Sequence, residues 1–191
     1  MFTEKLLQQF TDEEIEAILV HEIGHSRHRH LLLYPFILMG MLLVGSLIFI
    51  FILQPLLLNW KIDALFQSDT FFSSFILFFT YALFLGLYFR FVFGFFSRLF
   101  ERQADLHIFE YSSPPTSMIQ ALDHIATLSG SIHQKPSWHH FSIQERINFL
   151  QAAIQDRRLV VKHHRKVKMW LWLYFILFGL SSLILIYKTS I

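Results

Sequence analysis

The stretch LLLYPFILMGMLLVGSLIFIFILQPLLLNW, residues 31–60, carries no charged side chain, and its reading decides the fold. At about 1.5 Å rise per residue, roughly 20 residues of helix cross a hydrocarbon core about 30 Å thick, so this run is long enough to span a bilayer. It is longer than one span needs, and Pro35 and Pro55 are expected to kink it or to mark where its ends leave the membrane. Two further uncharged runs, 70–89 and 169–187, have spanning length as well. Composition agrees: 54% hydrophobic, 17% aromatic and 16% charged is too apolar for an ordinary soluble domain. Of 23 phenylalanines, 12 fall between Phe71 and Phe100, more than a soluble globule of this size can bury. The expectation is a mainly α integral membrane protein with about three transmembrane helices.

Four segments follow from these runs: a polar helix over 1–30, a transmembrane hairpin over 31–96, a polar segment over 97–168 and a final span over 169–191. Lys and Arg orient them, because cationic flanks stay in the cytoplasm. Residues 1–30 hold Lys5, Arg27 and Arg29, and residues 90–168 hold eleven more, which makes 14 of 16; only Lys61 and Lys188 remain for the other side. The N-terminal 20 residues lack the apolar core of a cleaved signal, so the chain is expected to start in the cytoplasm of a multi-pass cell-membrane protein. Cysteine is absent, and thiols therefore say nothing of the compartment. Residues 54–69 read as a short external loop without evident chemistry.

Thr11-Asp12-Glu13-Glu14 has the form of a capping box and predicts a helix start, with Ile15, Ile18 and Leu19 as its apolar stripe. The second span is expected to run on past Arg90, since Gly94 is the only breaker before Tyr111, until Ser112-Ser113-Pro114-Pro115 ends it. Shorter helices are predicted over 118–128 and 142–158, with a loop over 130–137. Arg157, Arg158, Lys162, Arg165, Lys166 and Lys168 form a basic belt beside the last span, suited to anionic lipid at about 1 kcal/mol per charge. A nucleic-acid role is not expected, because the belt abuts a span and lacks an aromatic reading face.

Chemistry enters with HEIGH at residues 21–25, inside the first predicted helix. Residues four apart share a helix face about 5–6 Å apart, which lets His21 and His25 hold one metal ion. Glu22 then stands beside the metal and can take a proton from a water that the metal has made acidic. Two histidines leave zinc short of the three protein ligands usual in a catalytic site, and Glu101, in Glu101-Arg102-Gln103-Ala104-Asp105, is the best third ligand. A shared ion requires both motifs on one face of the membrane, as the two intervening spans provide. Chance alone places H-E-x-x-H in roughly 3% of chains of this composition, so the weight lies on the joint occurrence of the two motifs. His28 and His30 read as interfacial residues at the membrane edge, since a site with two His and one Glu needs no more.

HEIGH, with SRLFERQAD at residues 97–105, resembles the HtpX-like and CAAX prenyl protease family of membrane zinc metallopeptidases, whose pattern is HExGH followed by SRxxExxAD. The resemblance extends over residues 3 to about 150. A later H-x5-R-[IVL] element is matched by His140, Arg146 and Ile147, although Phe141 stands where the family usually has proline. The resemblance implies a gluzincin-like helical core on the cytoplasmic side with one Zn2+ per chain, held by His21, His25 and Glu101, and with Glu22 activating water. It further implies that Asp105 accepts a hydrogen bond from a ligand imidazole, that of His21 above all, and that His140 or Arg146 donates to the oxyanion. Arg146 pairing with a helix carboxylate is the other reading of that residue. Family members usually carry an upstream strand segment that offers an edge to an extended substrate; only 20 residues precede His21 here.

The function these features imply is a membrane-bound zinc endopeptidase that cuts membrane proteins or hydrophobic peptides at the cytoplasmic face. Its partners would be that substrate, the lipid bilayer and either a helper protein or a second copy of itself. The alternative is a catalytically inactive zinc-binding scaffold or sensor module. Peptidase modules of beta-lactam sensor proteins also resemble the chain, but no extracellular sensor domain accompanies them here.

Overall fold

A computed structural model describes residues 9–55, 70–111, 113–130, 134 and 141–190. Every regular element among them is helical: α1 (Asp12–Arg27), α2 (His30–Ile48), α3 (Thr70–Tyr88), α4 (Gly94–Asp105), α5 (Pro115–Leu128), α6 (Ile143–Gln155) and α7 (Arg158–Thr189). A π-helical turn, Phe49–Leu53, follows α2; another, Phe89–Phe93, joins α3 to α4; and a 3-10 turn, Leu106–Glu110, continues α4. His30–Leu53, Phe78–Glu110 and Arg158–Thr189 are each long and apolar enough to cross a membrane, which marks the chain as a membrane protein. The external loop expected over 54–69 lies, from residue 56 on, outside the described residues, as does most of the loop over 130–137.

The chain forms two compact units, Met1–Leu33 with Gly94–Trp170 and Tyr34–Phe93 with Leu171–Ile191. In the first, α1 starts at the predicted capping box: Thr11 Oγ1 accepts from Glu14 N at 3.3 Å, and Glu14 Oε2 accepts from Thr11 N at 2.8 Å. Ser142 and Glu145 start α6 in the same way. Pro115 opens α5, where its missing N–H removes no helical bond. The apolar faces of these helices meet in a core of Ala17, Val20, Leu106, Ile108, Met118, Leu122, Ile147, Leu150 and Ala153. Burying each of the larger of these side chains stabilises the unit by about 1.5–3 kcal/mol.

Gly24 sets the spacing that matters for the site. A Cβ there would meet Ala104 Cα and His107 Cβ at 3.0 Å, so α1 and α4 approach this closely only because position 24 has no side chain. Arg29, at φ 58°, supplies the left-handed turn that ends α1 and starts α2 one residue later.

In the second unit, Tyr88 Oη donates to the Ile37 carbonyl and Tyr174 Oη to the Phe36 carbonyl, both at 2.9 Å. Gly40 makes room for them, since a Cβ there would lie 2.9 Å from Tyr174 Cζ and from Tyr88 Oη. Pro35 sits inside α2 and removes one backbone hydrogen bond without ending the helix. Leu42, Phe49, Ile52, Phe78, Leu83 and Leu183 are exposed from this unit, as side chains facing lipid would be.

Candidate metal centre

His21 and His25 sit one turn apart on α1, and their Nε2 atoms come within 3.2 Å of each other. Glu101 reaches them from α4, with Oε1 3.5 Å from His25 Nε2 and Oε2 3.9 Å from His21 Nε2. The three ligand atoms lie within 4.8 Å of one another, which is a grouping able to hold a metal ion. Glu101 is 8% exposed, so the cluster is screened by protein on most sides.

The outer nitrogens explain why the inner ones converge. His21 Nδ1 bonds Asp105 Oδ1 at 2.9 Å, which places the donated proton on Nδ1 and leaves the Nε2 lone pair facing Glu101. His25 Nδ1 bonds His30 Nδ1 at 3.1 Å, with the same effect on His25 when His25 is the donor. Two Nε2 lone pairs and a carboxylate aimed at one point repel unless a cation lies between them, so the donor set itself fits a divalent metal of the zinc type. Burial, and then the neighbouring His21, push the His25 imidazole below its ordinary value, against the opposing pull of Glu101 and Glu22. The His25 imidazole thus suits the neutral state a ligand needs.

Asp105 is 1% exposed and holds a central place. Burial alone would push its carboxyl up. The Arg146 guanidinium outweighs burial and, with His21, holds it well below the usual carboxylate range. Arg146 donates from Nε to Oδ2 at 2.8 Å and from Nη2 to Oδ1, a two-pronged pair. Its Nη1 lies 3.9 Å from Glu101 Oε2. Arg146 therefore reaches the site from α6 through Asp105 and, at longer range, through Glu101. Arg102, whose guanidinium sits 4.0 Å from the Phe141 ring centre and 4.2 Å from that of Phe149, joins α4 to the same side.

Glu22 is exposed on α1 next to His21, open to solvent. His140 lies outside the described residues. His30 corrects an expectation: it is fully buried rather than interfacial, stacked on Phe100 at 4.3 Å and bonded through Nε2 to Gln103 Oε1 at 3.1 Å. The cause is the turn at Arg29, which sends the chain back so that His30 faces His25. Gln103 was also missed, because a residue two positions from both Glu101 and Asp105 faces away from them on the helix, here toward His30 and His164.

Compared with known proteins, the family model described as peptidase family M48 matches residues 1–154. Neither the curated proteins nor the solved structures yielded a significant match.

Proposed function

The chain belongs to peptidase family M48, a family of metallopeptidases, and from that premise we propose that it is a zinc-dependent endopeptidase acting on membrane proteins or hydrophobic peptides at the cytoplasmic face of the cell membrane. One observation carries the proposal: the inner nitrogens of His21 and His25 and the carboxylate of Glu101 converge while Asp105 and His30 occupy the outer nitrogens. His21, His25 and Glu101 would hold zinc, which supplies a Lewis acid for the scissile carbonyl and acidifies a water.

The remaining steps belong to the chain. Glu22, exposed beside His21, takes a proton from the attacking water and returns it to the leaving amine. Asp105 fixes the tautomer of His21 and remains ionised because Arg146 clamps it. Arg146 Nη1, near Glu101, adds positive charge beside the developing oxyanion. The cytoplasmic assignment rests on charge: 14 of the 16 Lys and Arg lie in residues 1–30 and 90–168, the segments that contain both motifs.

Glu22→Gln tests the reading. The variant is expected to keep its zinc and to lose peptide hydrolysis by about 10²–10⁴-fold, the usual contribution of a general base, in an assay on hydrophobic peptides with detergent-purified protein. Hydrolysis that survives unchanged would remove Glu22 from the mechanism. A wild type that binds zinc but cuts nothing in a broad peptide library would favour the scaffold reading.

A further inference from the structure

A second histidine cluster lies in the first unit, outside the centre just described. We propose that His28, Glu110 and His164 form a second divalent-metal site, selective for zinc-like ions, whose filling opposes metal binding at His21, His25 and Glu101. The three side chains come from three elements: His28 caps the C-terminus of α1, Glu110 ends the 3-10 turn after α4, and His164 stands in the second turn of α7. Their ligand atoms lie within 4.8 Å of one another.

The imidazole nitrogens supply the independent observation. His28 Nε2 and His164 Nε2 are both buried, and neither has a hydrogen-bond partner among the described residues. A buried polar nitrogen without a partner is unusual, and a cation between the two rings would satisfy both at once. The rings sit 5.2 Å apart, centre to centre. The His107 ring centre lies 5.7 Å from that of His28, and its Nδ1 is 3.3 Å from Glu110 Oε2 without a hydrogen bond between them. Burial, followed by the neighbouring His164 and His107, holds the His28 imidazole down at about 4, in the neutral form that binds metal. Two imidazoles and one carboxylate suit zinc and its neighbours better than magnesium or calcium, which prefer oxygen alone.

The opposition between the sites follows from one hydrogen-bond chain: His25 Nδ1 to His30 Nδ1 at 3.1 Å, His30 Nε2 to Gln103 Oε1 at 3.1 Å, and Gln103 Nε2 to His164 Nδ1 at 2.8 Å. With metal on His25 Nε2, the His25 proton sits on Nδ1 and points at His30. His30 then donates to the Gln103 oxygen, and the Gln103 amide donates to His164, whose own proton is left on Nε2. Metal on His164 Nε2 demands the reverse: a proton on Nδ1, the Gln103 oxygen turned toward it, and the His30 proton aimed at His25 Nδ1. Both directions cannot hold at once, so zinc in the second site loosens zinc in the first. This coupling rests on the peptidase reading of the first site; the second site itself does not.

The test uses the full chain in detergent, with zinc as the probe and elemental analysis as the readout. In excess zinc, Glu101→Ala is expected to retain about one zinc per chain, and the double variant Glu101→Ala with His164→Ala to retain none. Glu110→Gln, at a half-exposed position where folding is little affected, should reproduce the loss in the Glu101→Ala background. Equal zinc in the single and double variants would overturn the site. For the coupling, Gln103→Ala removes no ligand of either site, and in it added zinc should no longer weaken the first site. If added zinc weakens the first site to the same extent in wild type and Gln103→Ala, the relay is overturned while the second site stands.

Discussion

The two units bury opposite kinds of side chain. The first encloses His30, Ser97, Glu101, Gln103, Asp105, His107 and His163, of which His30, Gln103, Asp105 and His163 are hydrogen-bonded to neighbouring groups. Among the described residues of the second, buried positions are few, chiefly Ile37, Tyr88 and the two glycines Gly40 and Gly45, while large apolar side chains are exposed. Lipid solvates apolar side chains but not charges, so the second unit needs only close helix packing, whereas the first must pair every ion it buries. On this contrast the proposed metal-site geometry depends on a small polar network that single substitutions should break, whereas the exposed apolar face of the second unit should tolerate them.

The sharpest way to break the contrast is to remove one partner of the buried ion pair. Asp105→Ala leaves Arg146 buried without its carboxylate and is expected to destabilise the first unit by about 3–5 kcal/mol, read from denaturant titration in detergent, with zinc lost in parallel. Gly24→Ala comes next. Its methyl group would press on the Ala104 backbone, where no flexible side chain can yield, so a cost of about 1–3 kcal/mol and a weaker metal affinity are expected, measured by zinc competition with a chelating dye. The smallest effect belongs to the outward face of the second unit: Leu83→Ala, at a side chain 64% exposed, should shift stability by no more than about 0.5 kcal/mol in the same titration. A large loss there would mean that the exposed apolar face is packed against protein in the assembled state.

The sequence made the spans and both halves of the metal motif readable because each depends on local signals, an uncharged run or a fixed spacing on one helix. The capping box at Thr11 and a helix start near Ser142 were legible for the same reason. What could not be read was the tertiary return of the chain: Arg29 in a left-handed turn is an arginine like any other in sequence, yet it turns His30 from an apparent membrane-edge residue into the outer partner of His25. Likewise a helix carboxylate was one reading of Arg146's partner, but nothing local said that it would be Asp105, 41 residues earlier, or that Gln103 would stand between two histidines. The π-helical turn at Phe49–Leu53 lies inside an apolar run, and that at Phe89–Phe93 at the end of one, in stretches that carry no local signal for it.

In the proposed function one tight zinc ion joins α1 to α4. Zinc per chain, measured by elemental analysis after dialysis against a low, buffered zinc concentration, tests it directly in wild type and Glu101→Ala. About one zinc is expected in the wild type and a large loss in the variant, since one of three protein ligands is gone. No zinc in the wild type, or equal zinc in both proteins, would contradict it.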